Sequence, residues 1–202
     1  MQLIAPAISF FDKILWCFFS YICPYSNKDM KDFILKNGLT LGAIQVVLLF
    51  VSYLMGIDFM MQTWWGVLQF LVSLGLVIYF AIEFRKLQGG YANYKDSFSV
   101  LFGMYAAAGF ILTFFNILLY NFIDVDFAQM AKEAIIEKTY EMMEGFGASD
   151  SMVDEAISDI ETQDSFSVGT LAKGYVFGLP VYIILSLIIA AFIKRNKPEF
   201  EA

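Results

Sequence analysis

Four blocks of about twenty apolar residues dominate this chain, and nothing else in it restricts the fold so tightly. They run over 37–55 (NGLTLGAIQVVLLFVSYLM), 64–82 (WWGVLQFLVSLGLVIYFAI), 98–122 (FSVLFGMYAAAGFILTFFNILLYNF) and 169–193 (GTLAKGYVFGLPVYIILSLIIAAFI). A hydrocarbon core of about 30 Å takes about twenty helical residues at about 1.5 Å each. Inside it every backbone N–H and C=O must be bonded within the segment, which a helix does unaided. The blocks therefore predict an all-α polytopic membrane protein, a four-transmembrane-helix bundle. Lys173 is the single charge in the four, and it lies near an end, where its stem can reach the interface.

Charge predicts the orientation. Lys13, Lys28, Lys31 and Lys36 precede the first block, Arg85, Lys86 and Lys95 follow the second, and Lys194, Arg195 and Lys197 follow the fourth. With both termini cytoplasmic, these ten basic residues lie inside, and Lys132, Lys138 and Lys173 lie outside. Trp64 and Trp65 then fall at the outer interface, a common station for indoles. The acids follow the opposite pattern. Asp124–Asp164 holds twelve acids against Lys132 and Lys138, a charge of −10 in a chain whose total is −7, so the remainder is +3. No basic surface of the kind nucleic acid requires is present.

The chain has no histidine and two cysteines, Cys17 and Cys23. That removes the commonest general base and excludes a Cys/His zinc site. A separation of six residues also puts the two cysteines on opposite sides of a helix, a poor geometry for a disulfide. No catalytic group, cofactor or metal is expected.

Two segments lie outside the spans. Residues 1–29 hold two apolar pieces around Asp12–Lys13, each too short to cross; they read as an interfacial amphipathic helix ended by Pro24. The membrane domain is 30–202. Within it, 124–167 forms an extracytoplasmic insertion. There Phe127, Met130, Ala131, Ala134 and Ile135 recur at helical spacing, Gly145 and Gly147 mark a break, and Val153, Ala156, Ile157 and Ile160 form a second stripe. An acidic helical hairpin is expected.

Five stretches carry a family resemblance: MKDFILKNGLTLG from Met30, WWGVLQFLVSLGLVIYFAIEFRK from Trp64, GGYANYKDSF from Gly89, YNFIDVDF from Tyr120, and the closing AAFIKRNKPEFE. Together, over about Met30–Glu201, they resemble the bacterial membrane family called domain of unknown function 4199. The resemblance implies a four-helix protein of the inner membrane of a Gram-negative lineage. It also implies, from the gene neighbourhood of the family, a family-2 glycosyltransferase as a partner. Members of that family begin near MKDFILKNG, which implies that residues 1–29 are either a membrane-surface extension or lie upstream of the true start.

Several residues invite a chemical reading beside a structural one. Asp124–Val125–Asp126 matches the Asp-x-Asp of metal-dependent glycosyltransferases, yet no nucleotide-binding domain surrounds it. The structural reading makes Asp126 and Gln129 a capping box, with Val125 and Met130 as its hydrophobic staple. Gln45, Gln69, Asn116 and Asn121 are amides within spans, which join helices or line a polar path. Asn116 is the deep one of the two asparagines, with Gln45 and Gln69 as its expected partners. Gly38 and Gly42, and again Gly174 and Gly178, stand four apart and suit close helix packing. Pro180 is expected to kink the fourth span. Glu83, Arg85 and Lys86 form a cytoplasmic interface cluster before Gly89–Gly90, and Glu137, Glu141 and Glu144 share a helix face that is either solvated or a weak divalent-cation site.

These readings predict a non-enzymatic accessory or scaffold subunit, in contact with membrane lipids and self-associating or bound to a membrane partner. A small transporter, flippase or channel built on the bundle amides is the alternative. A lipid-modifying enzyme using Asp124, Asp126 or Glu83 is the third reading.

Overall fold

The computed structural model describes residues 28–162 and 164–195. The interfacial helix expected over residues 1–29 falls almost wholly outside them, as do both cysteines. Among the described residues the elements are all helical: α1 (Lys28–Met55), a single turn α2 (Ile57–Met60), α3 (Thr63–Leu87), α4 (Tyr94–Leu118) continuing into a π-helical turn (Leu119–Ile123), α5 (Val125–Gly145), α6 (Asp150–Thr162) and α7 (Val168–Ile193). Four of these are long and apolar enough to cross a membrane: α1, α3, α4 with its π turn, and α7. The protein is an all-α polytopic bundle, as the four blocks predict. The helices overrun the blocks at the end rich in Lys and Arg: α1 starts at Lys28, α3 continues to Leu87 and α4 begins at Tyr94. Hydropathy marks the part that lipid can bury, whereas intrahelical bonding continues through the interface until a capping residue stops it.

α4 is the central post. Of its most apolar window 56% is buried, against 33% for α1 and 22% each for α3 and α7. Every residue from Val100 to Gly109 is buried. α1 and α7 each pack along α4, and α3 closes against α1, α4 and α7. Lipid tails are as apolar as leucine, so side-chain hydrophobicity cannot choose which face turns inward; close van der Waals packing and polar contacts choose instead. Leu54, Phe177 and Phe192 accordingly stay largely exposed on the outer faces while small residues turn in.

That packing is tightest at glycine. A Cβ on Gly38 would stand 2.8 Å from the Ala107 Cβ, and one on Gly42 would stand 2.8 Å from Ile111 Cδ1 and 3.3 Å from the Ala108 Cα. The Gly38/Gly42 face is thus the seat of α1 on α4. Gly174 and Gly178 differ: nothing lies within 4 Å of a Cβ on either. The packing role expected for them is corrected, because α7 turns its tyrosines to α4 and leaves this glycine face outward. Tyr175 donates from its hydroxyl to the Ala106 carbonyl at 3.0 Å, and the Tyr182 ring lies against Gly109. Pro180 sits inside α7, and the helix runs through it from Val168 to Ile193.

The Lys/Arg-rich end is tied by backbone. Gly89 and Gly90 adopt φ of 74° and 88°, and the Gly90 N–H reaches the Arg85 carbonyl at 2.9 Å, a left-handed helix terminus that turns α3 back toward α4. Ala92 and Arg195 then exchange both backbone hydrogen bonds, at 3.0 and 2.9 Å. Arg85 donates to the Ile193 carbonyl at 3.4 Å, a cation against the negative end of α7. Glu83 and Lys86 remain exposed, so the expected cluster of three divides into one residue that ties helices and two that face outward.

Gly38→Ala drives a methyl into the Ala107 Cβ and is expected to destabilise the bundle by about 1–3 kcal/mol, the usual range for overpacking. Gly174→Ala meets open space and should stay within about 0.5 kcal/mol of the parent. Equilibrium unfolding of both variants in mixed micelles checks the contrast.

Candidate functional site

Two places in the bundle gather polar side chains. The first lies between α1 and α3. Ser52 Oγ donates to the Leu48 carbonyl at 2.8 Å and accepts from Trp65 Nε1 at 2.6 Å and from Gln69 Nε2 at 3.2 Å. Ser52 is 1% exposed, and its hydroxyl makes all three bonds open to it. About two turns along α1 toward the basic end, Gln45 Nε2 donates to Ser73 Oγ at 3.0 Å. An amide or indole left unbonded in hydrocarbon costs several kcal/mol, so this seam holds α3 to α1 where small-residue packing is lacking.

The seam borders a cavity of about 280 Å³ at mid-height, walled by Gln45, Gln69 and Ser73 on one side and by Tyr105, Gly109 and Tyr182 on the other, with apolar residues between. Tyr105 and Tyr182 stack with centroids 5.6 Å apart and planes 7° from parallel. The structure thus brings Gln45 and Gln69 to one cavity and leaves Asn116 and Asn121 out of it. Asn116 bonds neither glutamine, contrary to expectation; Gln45 turns to Ser73 and Gln69 to Ser52.

The second place is the junction of span and hairpin. The π turn carries the chain out of α4, with the Asp124 N–H bonded to the Leu119 carbonyl at 2.9 Å. Asp124 then leaves helical geometry (φ −145°, ψ 87°), and its Oδ1 accepts from the Phe127 N–H at 2.9 Å, capping α5. Its Oδ2 accepts from the Tyr53 hydroxyl of α1 at 2.8 Å. Asn121 Nδ2 donates to the Ile117 carbonyl and, at 2.9 Å, to the Phe166 carbonyl just before α7. Around them Tyr53 meets Phe127 edge-on at 4.9 Å, and Tyr120 lies between Phe127 and Phe166.

This corrects the capping box expected on Asp126. The helix begins two residues earlier than that box requires, at Val125, so Asp124 is the cap and Asp126 falls in the first turn, exposed. Gln129 bonds Glu133 at 3.5 Å instead of the helix start, and Val125 and Met130 are 61% and 46% exposed, no staple. The π turn ends at Ile123 and Asp124 follows it directly, so the cap stands at the first polar residue after the exit, a turn that apolar spacing does not register.

Above the junction α5 and α6 pack on each other, with Val153 of α6 buried, while Phe127 and Ala131 of α5 turn to the base of the bundle. Lys132 Nζ donates to the Glu161 carbonyl at 2.7 Å, at the end of α6. Lys138 pairs with Glu141 at 3.1 Å on the open surface, an arrangement worth little in itself. Among the described residues no three His, Cys, Asp or Glu side chains come together to hold a metal. Sequence reasoning missed Tyr53, Ser52 and Ser73, the partners of the residues it singled out. It also missed the Ala106–Gly109 run on α4, which the unbroken small residues AAAG signal directly.

A family model described as a protein of unknown function, DUF4199, matches residues 36–195. The chain belongs to the DUF4199 family. The match takes in the four spans of this DUF4199 chain, the junction and the hairpin, starting within α1. No curated protein and no solved structure shows significant similarity to it.

Asp124→Ala removes a cap and an interhelical bond together and is expected to lower stability by about 1–2 kcal/mol, the upper range for a lost cap. Asp126→Ala should change it by less than about 0.5 kcal/mol. Equilibrium unfolding of the two variants side by side checks which aspartate holds the junction.

Proposed function

We propose that this DUF4199 protein is a non-enzymatic accessory subunit of a bacterial inner-membrane complex, and that its acidic hairpin is the arm that meets the partner. The bracing of that arm carries the reading. A loosely tethered insertion would need no bond back to the bundle, but Asp124 fastens α5 to Tyr53 of α1, and Asn121 fastens the end of α4 to the start of α7. An arm held at its base loses less freedom on binding than a flexible loop does.

The chemistry of the arm favours a protein partner with a basic face and an apolar notch. The segment holding the hairpin carries −10, and its turn exposes Phe146 (85%), Met142 and Met152. With the Lys- and Arg-rich loops placed in the cytoplasm, the arm stands in the periplasm and both termini stay inside. A family-2 glycosyltransferase of the same membrane, in contact with the bundle or the arm, is the partner we favour. The mid-bundle cavity supports a second reading as a small transporter, flippase or channel. Its walls span only about two turns of each helix, so that reading requires a larger opening.

Purification of the native chain in mild detergent, with quantitative mass spectrometry of what accompanies it, tests the accessory reading. A defined partner should be retained, and Met142→Ala with Phe146→Ala should reduce it by about tenfold at equal bait, as expected when apolar anchors at the centre of an interface are cut back. A partner-free chain, or retention unchanged by the double variant, contradicts the docking arm.

A further inference from the structure

The mid-bundle cavity has a chemistry that the hairpin reading leaves unused. Its walls hold no charged side chain, so an ion would be stripped of water there with nothing to offset the loss. They are not inert either. Gln45 and Gln69 each give one N–H to a serine, and neither amide makes a further hydrogen bond among the described residues, which leaves a carbonyl oxygen and a second N–H on each. The Tyr105 hydroxyl, on a residue 6% exposed, has no hydrogen-bond partner among the described residues. Donors and acceptors left over at this depth mark a place for a ligand with polar atoms of its own.

Depth narrows the class. Tyr105 lies eleven residues into α4 from Tyr94, and Tyr182 lies eleven residues before the end of α7 at Ile193. At about 1.5 Å per residue both stand roughly 16 Å from the helix ends, and Tyr105, seven residues inside the block that begins at Phe98, is still about 10 Å within the hydrocarbon. The ester carbonyls of bilayer lipids lie at the edges of the hydrocarbon core, about 10 Å or more away, and do not reach. The ligand must be a neutral molecule whose polar atoms themselves enter the core. The parallel Tyr105–Tyr182 pair offers it a flat aromatic wall, which suits a planar ring. Phe70 and Val181, exposed at 51% and 54%, edge the cavity on the lipid side, so entry is lateral.

We propose that this cavity binds the ring of a membrane-soluble isoprenoid quinone. A quinone carbonyl accepts from the glutamine N–H groups, and the hydroxyl of the quinol form donates to their carbonyl oxygens. The ring lies along the tyrosine wall, and the tail leaves between α3 and α7 into lipid.

The test is titration of the purified full-length chain in detergent with a short-chain benzoquinone carrying one isoprene unit, read by tryptophan quenching and by thermal shift. Saturable quenching is expected, with a stabilising shift. Gln45→Leu combined with Gln69→Leu should weaken binding by at least about tenfold, as expected when the bonds that orient a buried polar ligand are removed. Leu185→Trp, which fills the cavity and touches no hydrogen bond, should abolish binding at an unchanged melting temperature. If the glutamine double variant does not fold, the Leu185→Trp result decides alone. Quenching that rises linearly and equally in all variants is partitioning into the micelle and overturns the proposal. So does equal, cavity-dependent binding of an isoprenoid alcohol or a diacylglycerol, which would place a different neutral lipid there.

Discussion

The close approach of α1 and α7 to the Ala106–Gly109 stretch of α4 is the contact from which the rest of the bundle follows. In lipid no hydrophobic force drives helices together, so a bundle needs somewhere for backbones to come near. Gly38 and Gly42 seat α1 on this run, and the Tyr175 hydroxyl reaches its backbone from α7. With both helices held to one post, α3 is left without a small-residue groove of its own. It is joined by hydrogen bonds instead, through Trp65 and Gln69 to Ser52 and through Ser73 to Gln45. The cavity lies where these two kinds of joint meet. Packing by small residues closes α4 against its neighbours, and packing by amides keeps α3 at the distance of a side chain.

The two ends of the bundle are built differently, and each suits its charge. At the basic end the ties are mainly backbone: the Gly89–Gly90 turn, the Ala92–Arg195 pair and Arg85 on the last carbonyl of α7. At the acidic end they are side chains, with both oxygens of Asp124 and the amide of Asn121 committed. Asp-x-Asp in this chain is a hinge pin between membrane and hairpin. Its first aspartate is used up in structure, and its second faces solvent.

The architecture was legible because it rests on composition over long windows. Four apolar blocks, a basic bias on alternate loops and two amphipathic stripes in an acidic insertion are patterns that survive without knowledge of any single contact. Partners were not legible. Gln45 and Gln69 stand out as amides in apolar surroundings, but only the rotation of α1 against α3 shows that serines receive them and that Asn116 lies elsewhere. The two glycine pairs look equivalent in sequence, yet one is buried on α4 and the other faces outward, because Tyr175 and Tyr182, seven residues apart, claim the inner face of α7. The choice between the two aspartates is local: the π turn at Leu119–Ile123 hands the chain directly to Asp124, two residues before Asp126, and the spacing of hydrophobic positions does not record it.

The central claim is that α1 rides on α4 through Gly38 and Ala107, and disulfide trapping measures it directly. In a chain with Cys17 and Cys23 replaced by serine, Gly38→Cys with Ala107→Cys should cross-link on mild oxidation in native membranes. The 2.8 Å ideal Cβ separation needs only a small relaxation to reach the roughly 3.5–4.5 Å of a disulfide. Gly174→Cys with Ala107→Cys, tested in parallel, should stay reduced. Failure of the first pair, or cross-linking of the second in its place, would contradict the account of how this bundle is held together.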